Sequence, residues 1–274
     1  MRKLKNFKVT KVQKNLSEMM KEKPSRKHYK KLITDSCLIK TEKGYEMLYL
    51  TGEDQDKKIL QAYQRLVFTK GERISGLKSS SITIGSRPRS PRYNYCATAA
   101  SASKYPNEHE VFLQFSKELA KIYKHFFPKV YQYHMSLLNN SERSVFEWYI
   151  IAGTPFTSGI INKNSELGYH TDRGNYPNTF SCMHVMKKDV SGGYLVLPEY
   201  EIAFELSNNS ILIFNGQEII HGVTPITKAS PEAYRYSTVF YAMKEMWRCL
   251  PFKEELERIR KINDNSSHES KDKN

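Results

Sequence analysis

Two histidines and one aspartate have the types and spacing of a mononuclear metal site. His170 and Asp172 are separated by one residue, and His221 follows Asp172 by 49 residues. Side chains at positions i and i+2 of a strand point to the same side, so His170 and Asp172 can reach one ion. Two imidazoles and one carboxylate occupy one face of an octahedral Fe(II) ion and leave its other positions open for a cosubstrate and dioxygen. We therefore predict that these three side chains bind Fe(II) and that His221 comes from a neighbouring strand.

Arg235 lies in a run of apolar and aromatic residues, 234–243, that is typical of a strand. An arginine there requires an anion, and Ser237 presents a hydroxyl on the same face. A guanidinium fork with a hydroxyl suits the distal carboxylate of 2-oxoglutarate, whose 2-oxo acid end would chelate the iron. Asn162, at the end of the strand that leads into the metal loop, is a further candidate contact with this cosubstrate, although it could also cap a turn. The residue types and their order predict an Fe(II)/2-oxoglutarate-dependent dioxygenase.

Each of these residues also has an ordinary structural explanation. A His-x-Asp sequence occurs by chance in many proteins, His221 could belong to a turn, and Arg235 could pair with a carboxylate of the core. The joint order of the metal ligands and the Arg-x-Ser strand favours the metal site.

Three segments around these residues resemble the core of the TET/JBP family of nucleic-acid dioxygenases. They are Gly192–Pro198, Ile211–Phe214 and His221–Pro225. The resemblance extends from about residue 145 to residue 243. It implies the fold of that family, a double-stranded β-helix, and the same iron and 2-oxoglutarate ligands that the residue spacing predicts.

The family resemblance also implies a substrate. In this family the product is an oxidised 5-methyl group on a pyrimidine: 5-methylcytosine becomes 5-hydroxymethylcytosine or a more oxidised base, or thymine becomes 5-hydroxymethyluracil. A base in a duplex must be flipped out of the stack to reach a buried iron. Asn175 occupies the position at which TET-like members bind the flipped base through an asparagine. Because an amide both donates and accepts, Asn175 does not decide between cytosine and thymine.

Three functions remain open from the sequence. The first is a DNA pyrimidine oxygenase, with an RNA base as a variant of the substrate. The second is a dioxygenase of the same fold that hydroxylates a small molecule, an amino acid or a protein side chain. The third is a catalytically silent nucleic-acid-binding module, against which the complete set of iron ligands argues.

The charge of the chain indicates a polyanionic partner. The 274 residues include 43 Lys or Arg and 29 Asp or Glu, a formal net charge of +14, and the pI is about 9.4. Residues 1–31 hold twelve of the basic residues and two of the acidic ones, which is +10 of that total. We interpret residues 1–31 as a basic arm that follows the phosphates of DNA, with a solvated terminus as the alternative.

A second basic segment is the loop at 85–95. Its prolines prevent a regular ladder or helix, so Arg87, Arg89 and Arg92 lie on an extended loop. We predict that Arg89 and Arg92 contact the nucleic-acid substrate. A second arginine for 2-oxoglutarate and an ordinary exposed loop are the alternatives.

The cysteines and the absence of targeting segments indicate the cellular compartment of the protein. Cys37, Cys96, Cys182 and Cys249 have no metal-binding spacing, and no signal-peptide-like or membrane-spanning run is present. We therefore expect reduced thiols in an intracellular protein of the cytoplasm, nucleus or nucleoid that is not secreted. We also expect a monomer with no membrane or protein partner.

The periodicity of the chain predicts a mainly β fold with flanking helices. Residues 32–140 are expected to form a support region, with a hairpin over 37–51, a helix after Gly52 and a long helix from Pro106. Residues 141–250 are expected to form the double-stranded β-helix, a jelly-roll relative of about eight antiparallel strands that starts at 145–151. Residues 251–274 are charged and expected to be disordered.

Four other histidines are not expected to bind metal. His109, His125 and His134 lie in or after the long helix, and His184 lies among apolar residues of a strand, where a hydrogen-bonded core histidine is the simpler interpretation.

Overall fold

Two β-sheets that share one interior position the predicted site. The structure is a computed structural model that describes residues 4–12, 16–20, 22–42, 44–52, 56–68, 71–72, 78–90, 94–139 and 147–271. The strands of these residues are β1 (Lys5–Lys8), β2 (Lys31–Ile33), β3 (Cys37–Thr41), β4 (Gly44–Leu50), β5 (Gly71–Glu72), β6 (Lys78–Ser79), β7 (Ser81–Arg87), β8 (Ala97–Thr98), β9 (Ser158–Lys163), β10 (Ser181–Lys188), β11 (Val190–Gly192), β12 (Leu195–Leu197), β13 (Ile202–Phe204), β14 (Ser210–Phe214), β15 (Gly222–Val223), β16 (Ile226–Lys228) and β17 (Tyr234–Tyr241). The α-helices are α1 (Leu16–Met19), α2 (Lys57–Arg65), α3 (Ser101–Lys104), α4 (Pro106–Phe126), α5 (Pro128–Asn139) and α6 (Phe252–Lys271).

The larger sheet has nine strands in the order β1-β3-β4-β14-β10-β17-β9-β7-β8. A smaller sheet of four strands has the order β15-β12-β13-β2. The apolar side chains of β10 and β14 pack with those of β12 and β13 in one buried cluster. The two sheets therefore face each other across a common interior.

Strand β17 shows why the sequence folds this way. Its residues alternate strictly, as the pleat of a strand requires. Tyr234, Tyr236 and Phe240 pack outward into the cluster that α4 also joins. Arg235 and Ser237 point the other way and line the interior cavity. One strand thus supplies both a face for the helices and polar groups for the site.

A helical layer covers the outer face of the larger sheet. Helix α4 buries Phe112, Leu119 and Tyr123 in the same cluster as Tyr236, and it confirms the long helix expected from Pro106. Helix α5 then begins at Pro128. The interior cavity is therefore shielded on that side by two packed layers.

The predicted support region is not separate from the core. The hairpin of β3 and β4 extends the larger sheet, because β4 pairs antiparallel with β14. Strand β1 pairs with β3, and β2 pairs with β13 of the smaller sheet. The boundary expected at residue 140 therefore divides strands that are hydrogen-bonded to one another, and the N-terminal residues 5–8 and 31–33 are docked strands.

The expected first strand of the core, 145–151, is wrong. Glu147–Tyr149 forms a 3-10 turn, and residues 145 and 146 lie outside the described residues. Tyr149 is buried beside the disulfide, while Trp148 is 48% exposed. Consecutive aromatic residues gave a strand-like composition without the alternation that a strand would need.

The expectation of a disordered segment after residue 250 is also corrected, because α6 runs over Phe252–Lys271. Glu255 anchors the first turn of this helix to the rest of the protein. Its carboxylate is buried and accepts hydrogen bonds from Cys96 N at 3.1 Å and Leu250 N at 3.1 Å, and it forms an ion pair with Arg89 at 2.5 Å. Composition did not reveal this anchor, because one glutamate among many charged residues carries no distinguishing signal.

Cys96 and Cys249 form a disulfide, and Cys37 and Cys182 are buried free thiols. The disulfide corrects the expectation that all four thiols are reduced. The sequence could not predict it, because no spacing pattern links two cysteines that are 153 residues apart. Within the described residues, no helix has the length and apolar composition needed to cross a lipid bilayer.

The contact between α4 and the larger sheet is tested with Phe112→Ala. Phe112 is fully buried, so the substitution leaves a cavity, and we expect the free energy of unfolding to fall by about 3–5 kcal/mol in urea denaturation. Phe252→Ala is the matched control because Phe252 is 53% exposed, and it should change stability by no more than about 0.5 kcal/mol. Equal effects would contradict the packing described.

Candidate active site

The structure brings the three predicted metal ligands together. One ligand atom from each of His170, Asp172 and His221 lies within 4.8 Å of the others. The distances from Asp172 Oδ1 are 3.7 Å to His170 Nε2 and 3.8 Å to His221 Nε2. Such separations allow one ion to contact all three at the bond lengths of about 2 Å that nitrogen and oxygen ligands take.

Backbone hydrogen bonds fix both histidine rings. The Nδ1–H of His170 donates to Gly168 O at 2.8 Å, and that of His221 donates to Ile219 O at 2.9 Å. With Nδ1 protonated, each Nε2 carries the lone pair and faces the shared centre. The main chains also pair, His170 N to His221 O at 2.9 Å and His221 N to His170 O at 3.0 Å. His221 therefore does come from a segment alongside His170.

The carboxylate of Asp172 is held by a close backbone approach. Asp172 N donates to Gly216 O at 2.8 Å. A Cβ atom at Gly216 would clash with Asp172 Oδ2, so the side chain can adopt this position only beside a glycine. The sequence analysis did not identify Gly216, which is 44 residues from Asp172 along the chain.

The three ligands open into a cavity of about 250 Å³ between the two sheets. Its wall is largely apolar, and the aliphatic and aromatic lining residues are Ile160, Leu167, Met183, Leu195, Phe214, Val223, Val239, Tyr241 and Met243. The side chains of His170 and Asp172 are 34% and 28% exposed, whereas that of His221 is 7% exposed. The ligand face is therefore reachable from outside, and the cavity behind it is shielded from water.

Arg235 lies in this cavity as an uncompensated charge. The residue is 1% exposed, and its Nε and Nη2 atoms have no hydrogen-bond partner within the described residues. Burial lowers the pKa of Arg235 to about 10, the direction expected when a cation is desolvated. A buried guanidinium with two unpartnered nitrogens is costly, so the geometry favours an anion in the cavity.

The backbone around Arg235 is shaped to its side chain. Gly193 has φ +66, and a Cβ there would lie 2.8 Å from Arg235 Cδ. Arg235 N donates to Asn164 Oδ1 at 2.8 Å, and Asn164 N donates to Arg235 O at 2.8 Å. Gly193 in the TET/JBP-like segment therefore makes room for the guanidinium stem.

Ser237 and Asn162 line the same cavity, and they pair directly across β17 and β9. Their contact with 2-oxoglutarate remains a prediction. A hydroxyl that sequence reasoning missed is Ser165. It is 4% exposed, lines the cavity, and its Oγ has no hydrogen-bond partner among the described residues. Nothing in its sequence neighbourhood distinguishes it from other serines. The cavity that holds Arg235 is thus also lined by neutral polar groups suited to a carboxylate.

Asn175 also lines the cavity, but its amide nitrogen is engaged. It donates to Ser181 Oγ at 2.9 Å and lies 3.5 Å from Asp172 Oδ2. This contact steadies the metal-binding carboxylate. Its contact with a base remains a prediction.

Residues 85–90 and 94–95, the described part of the basic loop, do not line the cavity. Arg89 forms an ion pair with the buried Glu255, so its guanidinium helps to anchor α6. Its contact with substrate remains a prediction. Arg87 donates to Tyr95 O at 3.3 Å and lies over the Tyr95 ring. Arg92 lies outside the described residues.

Two other buried histidines, His134 and His184, lie outside the metal-binding cluster. His184 Nε2 lies 2.8 Å from Asn209 Oδ1, and its Nδ1 lies 3.4 Å from the Tyr63 hydroxyl. Burial lowers the pKa of His184 to about 4 and that of His134 to about 3. Both rings are therefore neutral at physiological pH, and within the described residues the metal-binding cluster contains neither.

Arg235→Met tests whether the guanidinium is present for an anionic ligand. Because the substitution removes an uncompensated buried charge and keeps an apolar stem, the metal-free protein should unfold at the same temperature or higher. Binding of 2-oxoglutarate, measured anaerobically by calorimetry with Mn(II), should be abolished. A large fall in melting temperature would show instead that Arg235 stabilises the fold.

Known proteins share this fold and part of this sequence. Residues 86–244 match the family model Tet_JBP, the oxygenase domain of the 2OGFeDO superfamily. Thymine dioxygenase JBP1 of Trypanosoma brucei brucei is 30% identical over 93 residues, 33% of this chain and 11% of that protein. The bifunctional helicase and thymine dioxygenase JBP2 of Leishmania major is 28% identical over 93 residues, 34% of this chain and 8% of that protein. The match thus spans about a tenth of the length of these relatives.

The fold comparison covers most of the chain. The structure of NgTET1 in complex with 5mC DNA has a TM-score of 0.59 over 85% of this chain and 87% of that chain, at 16% identity. Together with the family match, this confirms the double-stranded β-helix predicted from the sequence. Since the matched residues, 86–244, make up more than half of the chain, the protein belongs to the Tet_JBP family of 2-oxoglutarate- and iron-dependent oxygenases.

Proposed function

We propose that this protein oxidises the 5-methyl group of a pyrimidine base in DNA, once or repeatedly, with Fe(II), 2-oxoglutarate and dioxygen. The observation that carries the cofactor part is the unpartnered Arg235 guanidinium in the same cavity as the His-Asp-His cluster. A metal site alone fits many reactions. A metal site facing a buried cation in a largely apolar cavity fits a dicarboxylate cosubstrate that bridges the two.

The donor set fits iron, and the chain's own groups fit 2-oxoglutarate. His170, Asp172 and His221 would hold Fe(II), which with 2-oxoglutarate and dioxygen supplies the oxidation of a C–H bond to an alcohol. Arg235 and Ser237 would bind the distal carboxylate and orient the cosubstrate. The apolar wall around them excludes water, which strengthens the charge pairing in the cavity. The protein's role is binding, orientation and exclusion of solvent.

The opening of the cavity suits a flipped base. Gly174 lines the cavity and is itself exposed, and Tyr241 and Met243 line it and are half-buried. A planar ring entering there would pass between these residues toward the exposed faces of His170 and Asp172. Flipping costs a few kcal/mol of unstacking, so contacts elsewhere must compensate.

Cations and aromatic rings flank this opening. Lys244 N donates to Gly174 O at 2.9 Å, which places the exposed Lys244 beside Gly174 and its exposed neighbour Arg173. The rings of Tyr176 and Trp247 lie 4.4 Å apart, and both are half-buried. Phosphate contacts and stacked aromatic rings are the two means by which proteins hold an extruded strand, which supports nucleic acid as the substrate over a free small molecule.

Nucleoside mass spectrometry tests the reaction. After incubation with Fe(II), ascorbate and 2-oxoglutarate, DNA that contains both 5-methylcytosine and thymine should gain one oxygen on one of these bases. Thymine is the first candidate because the sequence relatives JBP1 and JBP2 are thymine dioxygenases. Omission of 2-oxoglutarate, or Asp172→Ala, should abolish the product. Unchanged DNA with succinate formed on addition of a metabolite or peptide would replace the DNA substrate with that compound.

The salt dependence of DNA binding tests separately whether the DNA phosphates contact the cations beside the opening of the cavity. Arg173→Gln combined with Lys244→Gln removes two cations, so the slope of log Kd against log salt should become shallower by about 1 unit for each phosphate that is no longer neutralised. Lys188→Gln combined with Lys228→Gln is the charge-matched control, since these lysines line a different depression. Equal slopes in the two double variants would place DNA elsewhere on the surface.

A further inference from the structure

The N-terminal segment lies directly behind the two metal-binding histidines. Tyr169 and Ile220 are the residues that precede His170 and His221. They pack with Tyr29 in one buried cluster, together with Val196 and Ala203 of the smaller sheet. A part of the N-terminal residues predicted to follow phosphates is therefore packed against the backbone of the metal site.

A first hydrogen-bonded link reaches His170. The Tyr169 hydroxyl lies 2.9 Å from His28 Nδ1, and His28 Nε2 lies 3.0 Å from Glu22 Oε2. A carboxylate only accepts, so Nε2–H donates to Glu22, and Nδ1 is hydrogen-bonded to the Tyr169 hydroxyl. Tyr169 is 5% exposed and His28 is 6% exposed, so water does not replace these bonds freely.

A second link reaches His221. Ile220 N donates to Glu199 Oε2 at 3.0 Å, and Glu199 is 2% exposed. Its other oxygen, Oε1, is paired with Lys11 Nζ at 2.5 Å, and Val12 N donates to Glu199 O at 2.8 Å. A buried carboxylate needs such a cation, so Lys11 maintains the acceptor that holds Ile220.

A close packing contact joins the same two regions. A Cβ atom at Gly222, the residue after His221, would lie 2.6 Å from Pro24 Cγ and 2.9 Å from Tyr169 Cδ1. The backbone beside His221 is therefore in direct contact with Pro24 of the N-terminal segment and with the ring of Tyr169.

We propose that Lys11 and His28 are positioning residues of the metal centre, which act on His221 through Glu199 and on His170 through Tyr169. Each histidine ring is oriented by a carbonyl two residues before it, at Gly168 and Ile219. The two links hold Tyr169 and Ile220, which lie between each carbonyl and its histidine. A displacement of either segment turns an Nε2 lone pair away from the metal. The inference rests on the metal site of the proposed function and is independent of its substrate.

Anaerobic titration with Co(II), followed by its visible absorption band, tests the first link in the full-length chain. Tyr169→Phe keeps the ring that packs on Gly222 and removes only the hydroxyl, and we expect Co(II) to bind about tenfold more weakly with a changed band shape. Tyr49→Phe is the matched control, because Tyr49 is buried and hydrogen-bonded to Ser207, away from the cavity. It should lower thermal stability while the Kd for Co(II) and the band remain those of wild type.

Two further comparisons complete the test. His28→Gln combined with Tyr169→Phe should weaken Co(II) binding no more than either change alone, because both changes remove the same hydrogen bond between His28 and Tyr169. Lys11→Met should weaken Co(II) binding, whereas Lys5→Met should not, since Lys5 pairs with the exposed Asp35 at 2.7 Å. Co(II) affinities within twofold of wild type for Tyr169→Phe and Lys11→Met would overturn the inference. Failure of the wild-type protein to bind Co(II) would instead overturn the metal site itself.

Discussion

The pair of main-chain hydrogen bonds between His170 and His221 is the constraint on which the rest of the site depends. It joins two segments that are 51 residues apart in sequence and sets the separation of the two imidazoles before any ion is bound. Each ring then takes its orientation from a carbonyl of its own segment, and Gly216 admits the carboxylate of Asp172 between them. A metal centre built this way is largely preorganised, because the backbone carries the geometry that flexible side chains would otherwise have to adopt.

The buried charge of Arg235 places a second demand on the fold. Strand β17 is central in the larger sheet and flanked by β9 and β10, so the guanidinium has no route to solvent. Gly193 restricts its position, because a Cβ there would lie 2.8 Å from Arg235 Cδ. Such an arrangement is unfavourable in the free protein, and the same charge favours the entry of an anion into the cavity. Function and stability are therefore opposed at this residue.

The local pattern of the chain is sufficient to predict the metal ligands, Arg235, Ser237 and most strands, since each of these depends on residue type, on the alternation of a strand, or on a family resemblance over 145–243. Gly216, Ser165 and Glu255 could not be predicted, because their roles arise from contacts with residues distant in sequence. The same reason explains why the ion pair of Arg89 could not be predicted. Its positive charge is evident in the sequence, but its buried partner in α6 is not. Charge alone also describes the N-terminal residues incompletely, because their apolar members Phe7 and Tyr29 dock onto the two sheets.

The disulfide between Cys96 and Cys249 encloses all three metal ligands and Arg235 within one covalent ring. In the chain-entropy account, closing a ring of this size restricts the unfolded chain by about 5 kcal/mol. The ring also changes what a single backbone cleavage does. A proteolytic nick at any exposed turn between the two cysteines opens the ring but does not separate the pieces, so both histidines remain part of one molecule. Reduction of the bond removes that protection, and oxidation state thereby determines whether nicked protein survives as a unit or falls into two fragments.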